Sequence, residues 1–200
     1  MMRSLRAVVL ALMLVPAPGE AQDFDAGLTA FEAGDFAAAL REWTPLAEQG
    51  DAKAQVNLGG MYYKGQGVSQ EYAVAVKWYR MAAEQGDANA QNKLGAMYDK
   101  GRGVPQDFAL AVKWFRKAAE QGSARAQDNL GIMYYIGAGV PQSYAEAAKW
   151  FRVAAEQGLA DGQSDLSAMY ADGLGVPQDD AEALKWSRLA ADQVNAMEDD

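Results

Sequence analysis

One pattern with possible chemistry occurs four times in the chain: Gly-x-Gly, at Gly65 and Gly67, Gly101 and Gly103, Gly137 and Gly139, and Gly173 and Gly175. Glycines so spaced can cradle a phosphate if a strand leads in and a helix N-terminus receives the anion at a third glycine. Here helical patterns lead in and no third glycine follows, so the pattern reads as a turn. The recurring carboxylates Glu84, Glu120 and Glu156 could move protons, but one active site has no use for three copies of its acid. Histidine and cysteine are both absent, which removes histidine-based triads, the usual transition-metal sites and thiol chemistry. No serine is followed three places later by lysine, the pattern of penicillin-recognising enzymes. A carboxylate pair for glycan cleavage is singled out nowhere. The chain therefore reads as no enzyme, with no catalytic residue, cofactor or metal, and attention moves to residues that could bind a partner.

The elements that would position such residues repeat as well. Trp78, Trp114, Trp150 and Trp186 stand 36 residues apart, and a period of 20 to 50 residues marks a stacked repeat array. In register, residues 51–86, 87–122, 123–158 and 159–194 are four copies of one unit. Within the first copy Asp51 can cap a helix carrying Ala54, Leu58, Met61 and Tyr62 on one face, at spacings of three and four. Gly59 is the small residue at which a second helix can cross closely. Gly65 ends the helix. A loop follows, reading Val-Pro-Gln at 104–106, 140–142 and 176–178, and its proline blocks continuation of the first helix. Asp107, Ser143 and Asp179 then cap a second helix, whose expected buried face in the first copy is Ala75, Trp78, Tyr79 and Ala82.

A single hairpin cannot bury both of its faces, so such an array needs stacked neighbours and capped ends. Residues 22–50 read as a capping hairpin in which Trp43 takes the place of Tyr79. The fourth copy reads as the other cap: Ser167 replaces the crossing glycine, Ser187 replaces the aromatic of Tyr79, Phe115 and Phe151, and polar residues suit an outer face. Residues 195–200 read as an acidic tail.

Arg3 and Arg6, the apolar run 7–15 and the small residues before Ala21 have the order of a secretory signal peptide. Cleavage is expected after Ala21, leaving no integral membrane segment and a periplasmic or secreted protein. Without residues 1–21 the chain carries 16 basic and 26 acidic residues, net −10. That balance argues against nucleic acid as a partner.

The units Leu-Gly-x-Met-Tyr at 58–62, Gly-x-Gly-Val at 65–68 and Trp-aromatic-Arg-x-Ala-Ala-Glu-Gln-Gly at 78–86 resemble the Sel-one-like repeat family. The resemblance implies an all-α fold, a right-handed superhelical solenoid of paired antiparallel helices related to tetratricopeptide repeats. It also implies an adaptor that binds a protein or peptide, in an exported protein at the cell envelope. The alternative is a carbohydrate- or peptidoglycan-binding or processing protein that uses exposed tyrosines and carboxylates.

Residues common to the copies build the scaffold, so binding is expected where the copies differ and still face outward. In the tetratricopeptide register the concave side of the first helices carries Lys53, Val56, Tyr63 and Lys64, then Asn89, Asn92, Asp99 and Lys100, then Arg125, Asp128, Tyr135 and Ile136, then Asp161, Ser164, Ala171 and Asp172. The third row, with Ile132, is apolar where the others are polar. An apolar cluster with a polar rim marks a contact site, so a partner is expected to centre on Ile132, Tyr135 and Ile136, flanked by Tyr63 and Lys100. Five first helices at roughly 8 to 10 Å spacing make a groove of about 40 Å, which holds about a dozen extended residues at roughly 3.3 Å each.

Overall fold

The computed structural model describes residues 23–198, with side chains placed as far as residue 193. The expected leader, its cleavage point and residues 199–200 lie outside the described residues. Ten helices follow one another: α1 (Phe24–Glu32), α2 (Phe36–Glu48), α3 (Ala52–Lys64), α4 (Tyr72–Glu84), α5 (Ala88–Lys100), α6 (Phe108–Glu120), α7 (Ala124–Ile136), α8 (Tyr144–Glu156), α9 (Ala160–Asp172) and α10 (Asp180–Glu198). Helices pack in pairs, α1 on α2 through α9 on α10, and each pair leans on the next through α2–α3, α4–α5, α6–α7 and α8–α9. The result is a one-dimensional α/α stack, whose stability is a sum of units and nearest-neighbour interfaces.

Local chemistry sets the boundaries. Asp51 and Asp87 accept the backbone N–H of Ala54 and Ala90 at 2.8 and 2.7 Å, each satisfying an amide that the first helical turn leaves without a partner. Asp107 and Ser143 accept from Leu110 and Glu146 at 2.9 and 3.3 Å, and Asp179 accepts from Glu182 at 3.0 Å, as their positions predict. Gly101 ends α5 at φ 63°, a left-handed conformation that a residue with a Cβ adopts only at a cost. The second glycine of the pattern answers a different demand. A Cβ on Gly103 would lie 2.4 Å from the Tyr72 carbonyl carbon, so this loop touches the backbone of the preceding hairpin and only glycine fits. The loop glutamines then tie each turn down, Gln106 donating to the Asp99 carbonyl at 2.7 Å and Gln142 to that of Tyr135 at 2.8 Å.

The core departs from the expected pattern at the tryptophans. Tyr79, Phe115 and Phe151 are 2–3% exposed and occupy the centre of the hairpins, as does Trp43 in the first. Trp78, Trp114 and Trp150 are only half-buried, lying against the clusters of the preceding hairpins. Trp186, although in the hairpin read as the cap, is the most buried of the four at 9%. The reason lies in the neighbouring position: the aromatic after each of the first three tryptophans fills the space over a glycine of the first helix, which leaves the tryptophan at the seam between hairpins. In α10 that following residue is Ser187, so Trp186 itself covers the last core. The outer face of α10 is also less polar than expected, since Leu184 and Leu189 are exposed.

A buried glutamine ladder links the units. Gln55, Gln91, Gln127 and Gln163 are 1–3% exposed, and each donates to the carbonyl eight residues earlier, at Ala47, Ala83, Ala119 and Ala155, over 2.9–3.2 Å. Gln85, Gln121 and Gln157 in turn donate to Oε1 of Gln55, Gln91 and Gln127 at 2.6–2.8 Å. Buried amides need such partners. The ladder stops at Gln163, whose Oε1 has none.

Candidate functional site

The exposed edge of the first helices α1, α3 and α5 encloses a cavity of about 510 Å³. Its floor is apolar, with Leu28 and Phe31 of α1, Val56 of α3 and Met97 of α5, and its rim carries Lys64, Lys93, Lys100 and Arg102. Four cations converge here in a chain whose net charge is −9. Only Lys100 has a carboxylate close by, Asp99 at 2.8 Å; Lys64, Lys93 and Arg102 take part in no ion pair among the described residues. Arg102 instead donates to the Tyr63 hydroxyl and lies over the rings of Tyr63 and Tyr72, 5.7 Å from each centroid. Burial first, then the charges of Lys64 and Arg125, pushes the Lys93 ammonium below its usual pKa. A carboxylate entering this cavity would relieve that stress.

The next two first helices carry the opposite sign. Between α7 and α9 lies a cavity of about 200 Å³ walled by Ile132, Tyr135, Phe151, Met169 and Leu174, with Asp165 and Asp172 at its polar side. Asp128 of α7 does not line this cavity. It is 7% exposed, its Oδ1 meets no donor among the described residues, and burial followed by the charges of Asp165 and Asp161 raises its pKa from 3.8 to about 7. Asp165 is raised as well, by burial and then by Asp161.

Of the residues the sequence singles out, Tyr63, Lys64, Asn92 and Lys100 line the larger cavity, while Ile132 and Tyr135 line the smaller. Ile132, Tyr135 and Ile136 are 38%, 37% and 56% exposed, so none of the three is a core residue, though Ile136 borders neither cavity. Arg125 is exposed, and Asp99 is held by Lys100 rather than opening onto the cavity. Asp128 differs from expectation: it is 7% exposed, buried where an open groove position was read. Sequence reasoning missed Leu28, Phe31, Asn57, Lys93 and Arg102, all of which line the larger cavity. Asn57 and Lys93 follow Val56 and Asn92 directly, and they lie four residues beyond Lys53 and Asn89 on their own helices, on the same face.

A family model for the Sel1 repeat matches residues 52–87, 88–123, 124–159 and 160–195. The chain belongs to the Sel1 repeat family. Sel1 repeat proteins generally act as non-enzymatic scaffolds for protein–protein interaction. Among solved structures, the chain is similar to a protective antigen of uropathogenic Escherichia coli strains with an SLR fold, at 46% identity and a TM-score of 0.75 over 77% of this chain and 33% of that one. A Sel1 repeat protein from Oxalobacter formigenes is similar at 41% identity and a TM-score of 0.70, over 78% and 45% of the two chains. Helicobacter pylori cysteine rich protein B shares the fold, at 22% identity and a TM-score of 0.51, over 64% and 92%. An uncharacterized Neisseria meningitidis protein is 57% identical over 37 residues, 18% of this chain and 8% of that protein. The chain thus spans less than half the length of the first two structures and a small part of the Neisseria protein. No helix of the described residues is long and apolar enough to cross a membrane.

Proposed function

We propose that this Sel1 repeat protein is an exported, non-enzymatic scaffold that binds an extended segment of a protein partner along its first helices. The observation that carries the reading is the larger cavity, where an apolar floor is ringed by four cations, of which only Lys100 has a carboxylate partner among the described residues, in an otherwise acidic chain. Apolar anchors ringed by polar contacts are how proteins hold a partner segment. Tyr63, Lys64, Lys93 and Lys100 would contact the acidic or carboxylate-bearing part of that segment, and Ile132, Tyr135 and Ile136 its continuation along the groove. The basic and apolar order of residues 3–21 supports export, and the envelope is the place where such a scaffold would meet its partner.

Photo-crosslinking in cells producing the full chain tests this. A photoreactive residue at Asn92, in the groove, should give a discrete protein adduct, whereas the same residue at exposed Lys113 on α6 should not. Adducts at Lys113 with none at Asn92 would place binding on the second helices and refute the reading.

A further inference from the structure

The groove changes sign along its length, and the acidic half contains more than surface charge. The cavity between α7 and α9 has apolar walls from Ile132, Tyr135, Met169 and Leu174 and carboxylates from Asp165 and Asp172 on one side. Asp165 also acts on the charge of Asp128, whose buried Oδ1 has no donor among the described residues. Charging this buried carboxyl is disfavoured by burial and by the charges of Asp165 and Asp161, and a cation arriving nearby would offset that cost. Acidic side chains of the described residues form no group of three able to hold a metal ion. A long organic cation suits the site better: its methylenes would lie along the apolar walls while its charged end reaches the carboxylates.

We propose that the cavity between α7 and α9 is a subsite for a lysine or arginine side chain of the bound partner segment, held by Asp165 and Asp172. Resting on the groove reading above, this adds its chemistry: a segment with its acidic part against Lys64, Lys93 and Arg102 and a basic residue further along, over α7 and α9. The two ends of opposite sign fix the direction in which the segment lies, because reversal would set like charges against each other at both ends. Asp161 and Asp165 on α9 are the charged groups that act on Asp128. An arriving ammonium or guanidinium would favour its ionised form and offset the repulsion among the three.

A random peptide library displayed on phage and panned on the full chain provides the test. Selected peptides should share a lysine or arginine whose replacement by alanine weakens binding at least about tenfold, the scale of one lost buried charge contact. The Asp165→Asn/Asp172→Asn variant should bind the parent peptides correspondingly weakly and should no longer distinguish them from their alanine forms. Since the Asp165 charge is itself disfavoured by burial, this variant keeps its fold, which a thermal unfolding curve checks. Peptides without a shared basic residue, or equal binding to the variant, would overturn the subsite. Crosslinking the selected peptides through Asn92 and, separately, through Lys113 separates the two ideas: adducts at Asn92 without dependence on Asp165 and Asp172 refute the subsite alone, whereas adducts at Lys113 with none at Asn92 refute the groove reading too.

Discussion

Gly95 on α5 lies beneath the ring of Phe115 on α6, so close that a Cβ would meet two ring carbons at 2.7 Å. Gly59 with Tyr79 and Gly131 with Phe151 repeat the arrangement, and Gly27 with Trp43 extends it to the first hairpin. In the last hairpin both partners change together. Ser167 stands where the glycine was and donates to the Ala183 carbonyl at 2.7 Å, which is possible because Ser187 brings no ring to that place.

Gly95→Ala should therefore cost about 1 to 3 kcal/mol, as overpacking of a filled core does. With Phe115→Ala already present the same change should be neutral or stabilising, because alanine is the better helix former by about 1 kcal/mol. Denaturant midpoints of the two single variants and the double variant check this. Equal costs in both backgrounds would show that the ring does not set the size of residue 95.

The same geometry ranks the aromatics. Phe115→Ala should cost about 3 to 5 kcal/mol, and Trp114→Ala clearly less, since Trp114 is half-buried at the seam. Trp186→Ala should exceed Trp114→Ala despite its place in the last hairpin. Urea unfolding of the three variants decides the order, and a larger loss for Trp114 than for Phe115 would contradict the packing described.

For the glutamine ladder, Gln91→Leu removes two bonds, from Gln91 to the Ala83 carbonyl and from the Gln121 amide to Gln91, leaving the carbonyl with the Gly86 N–H and the amide with the Lys117 carbonyl. The expected loss is about 1 to 3 kcal/mol, two lost hydrogen bonds at roughly 0.5 to 1.5 kcal/mol each. Gln163→Leu should cost less, because only the bond to the Ala155 carbonyl is given up. Thermal midpoints measured side by side would show equal effects if the ladder were not what joins the units.

Asp128 predicts a pH dependence. Its carboxyl ionises near 3.8 in the unfolded chain and near 7 in the folded one. Between those values the folded state holds a proton that the unfolded state has lost, so this group's contribution to stability falls as pH rises from 4 to 7. Asp128→Asn cannot ionise and removes that loss. It should stabilise the protein by about 1 to 3 kcal/mol at pH 8 and by almost nothing at pH 4. An equal effect at both pH values would mean that the carboxyl titrates normally.

Much of the scaffold was legible because each feature depends on residues near one another in sequence or at a fixed period. Asp107 and Ser143 cap helices that begin right after them, and the 36-residue repeat exposes the Gly95 type of crossing. The choice between Trp114 and Phe115 was not legible: adjacent positions share the inward side of a helix, and only the partner glycine decides which ring goes deepest. Asp128 was misread for a similar reason. Its burial depends on packing beyond its own helix, and the apolar Val56 at the equivalent place in α3, also buried, was the available hint. The larger cavity escaped because it draws on α1, α3, α5 and Arg102 of the loop, which no single row of the repeat brings together.

The central claim is that the first helices hold a protein segment through cations at the larger cavity. With the partner recovered through Asn92 crosslinking, the most direct measurement is its affinity for Lys93→Glu and for Lys113→Glu, together with the thermal midpoint of each variant. The account predicts at least about a tenfold loss for Lys93→Glu, the scale of a reversed charge at a partly desolvated contact, no loss for Lys113→Glu, and little change in either midpoint. Equal affinities for the two variants, with both folded, would contradict it.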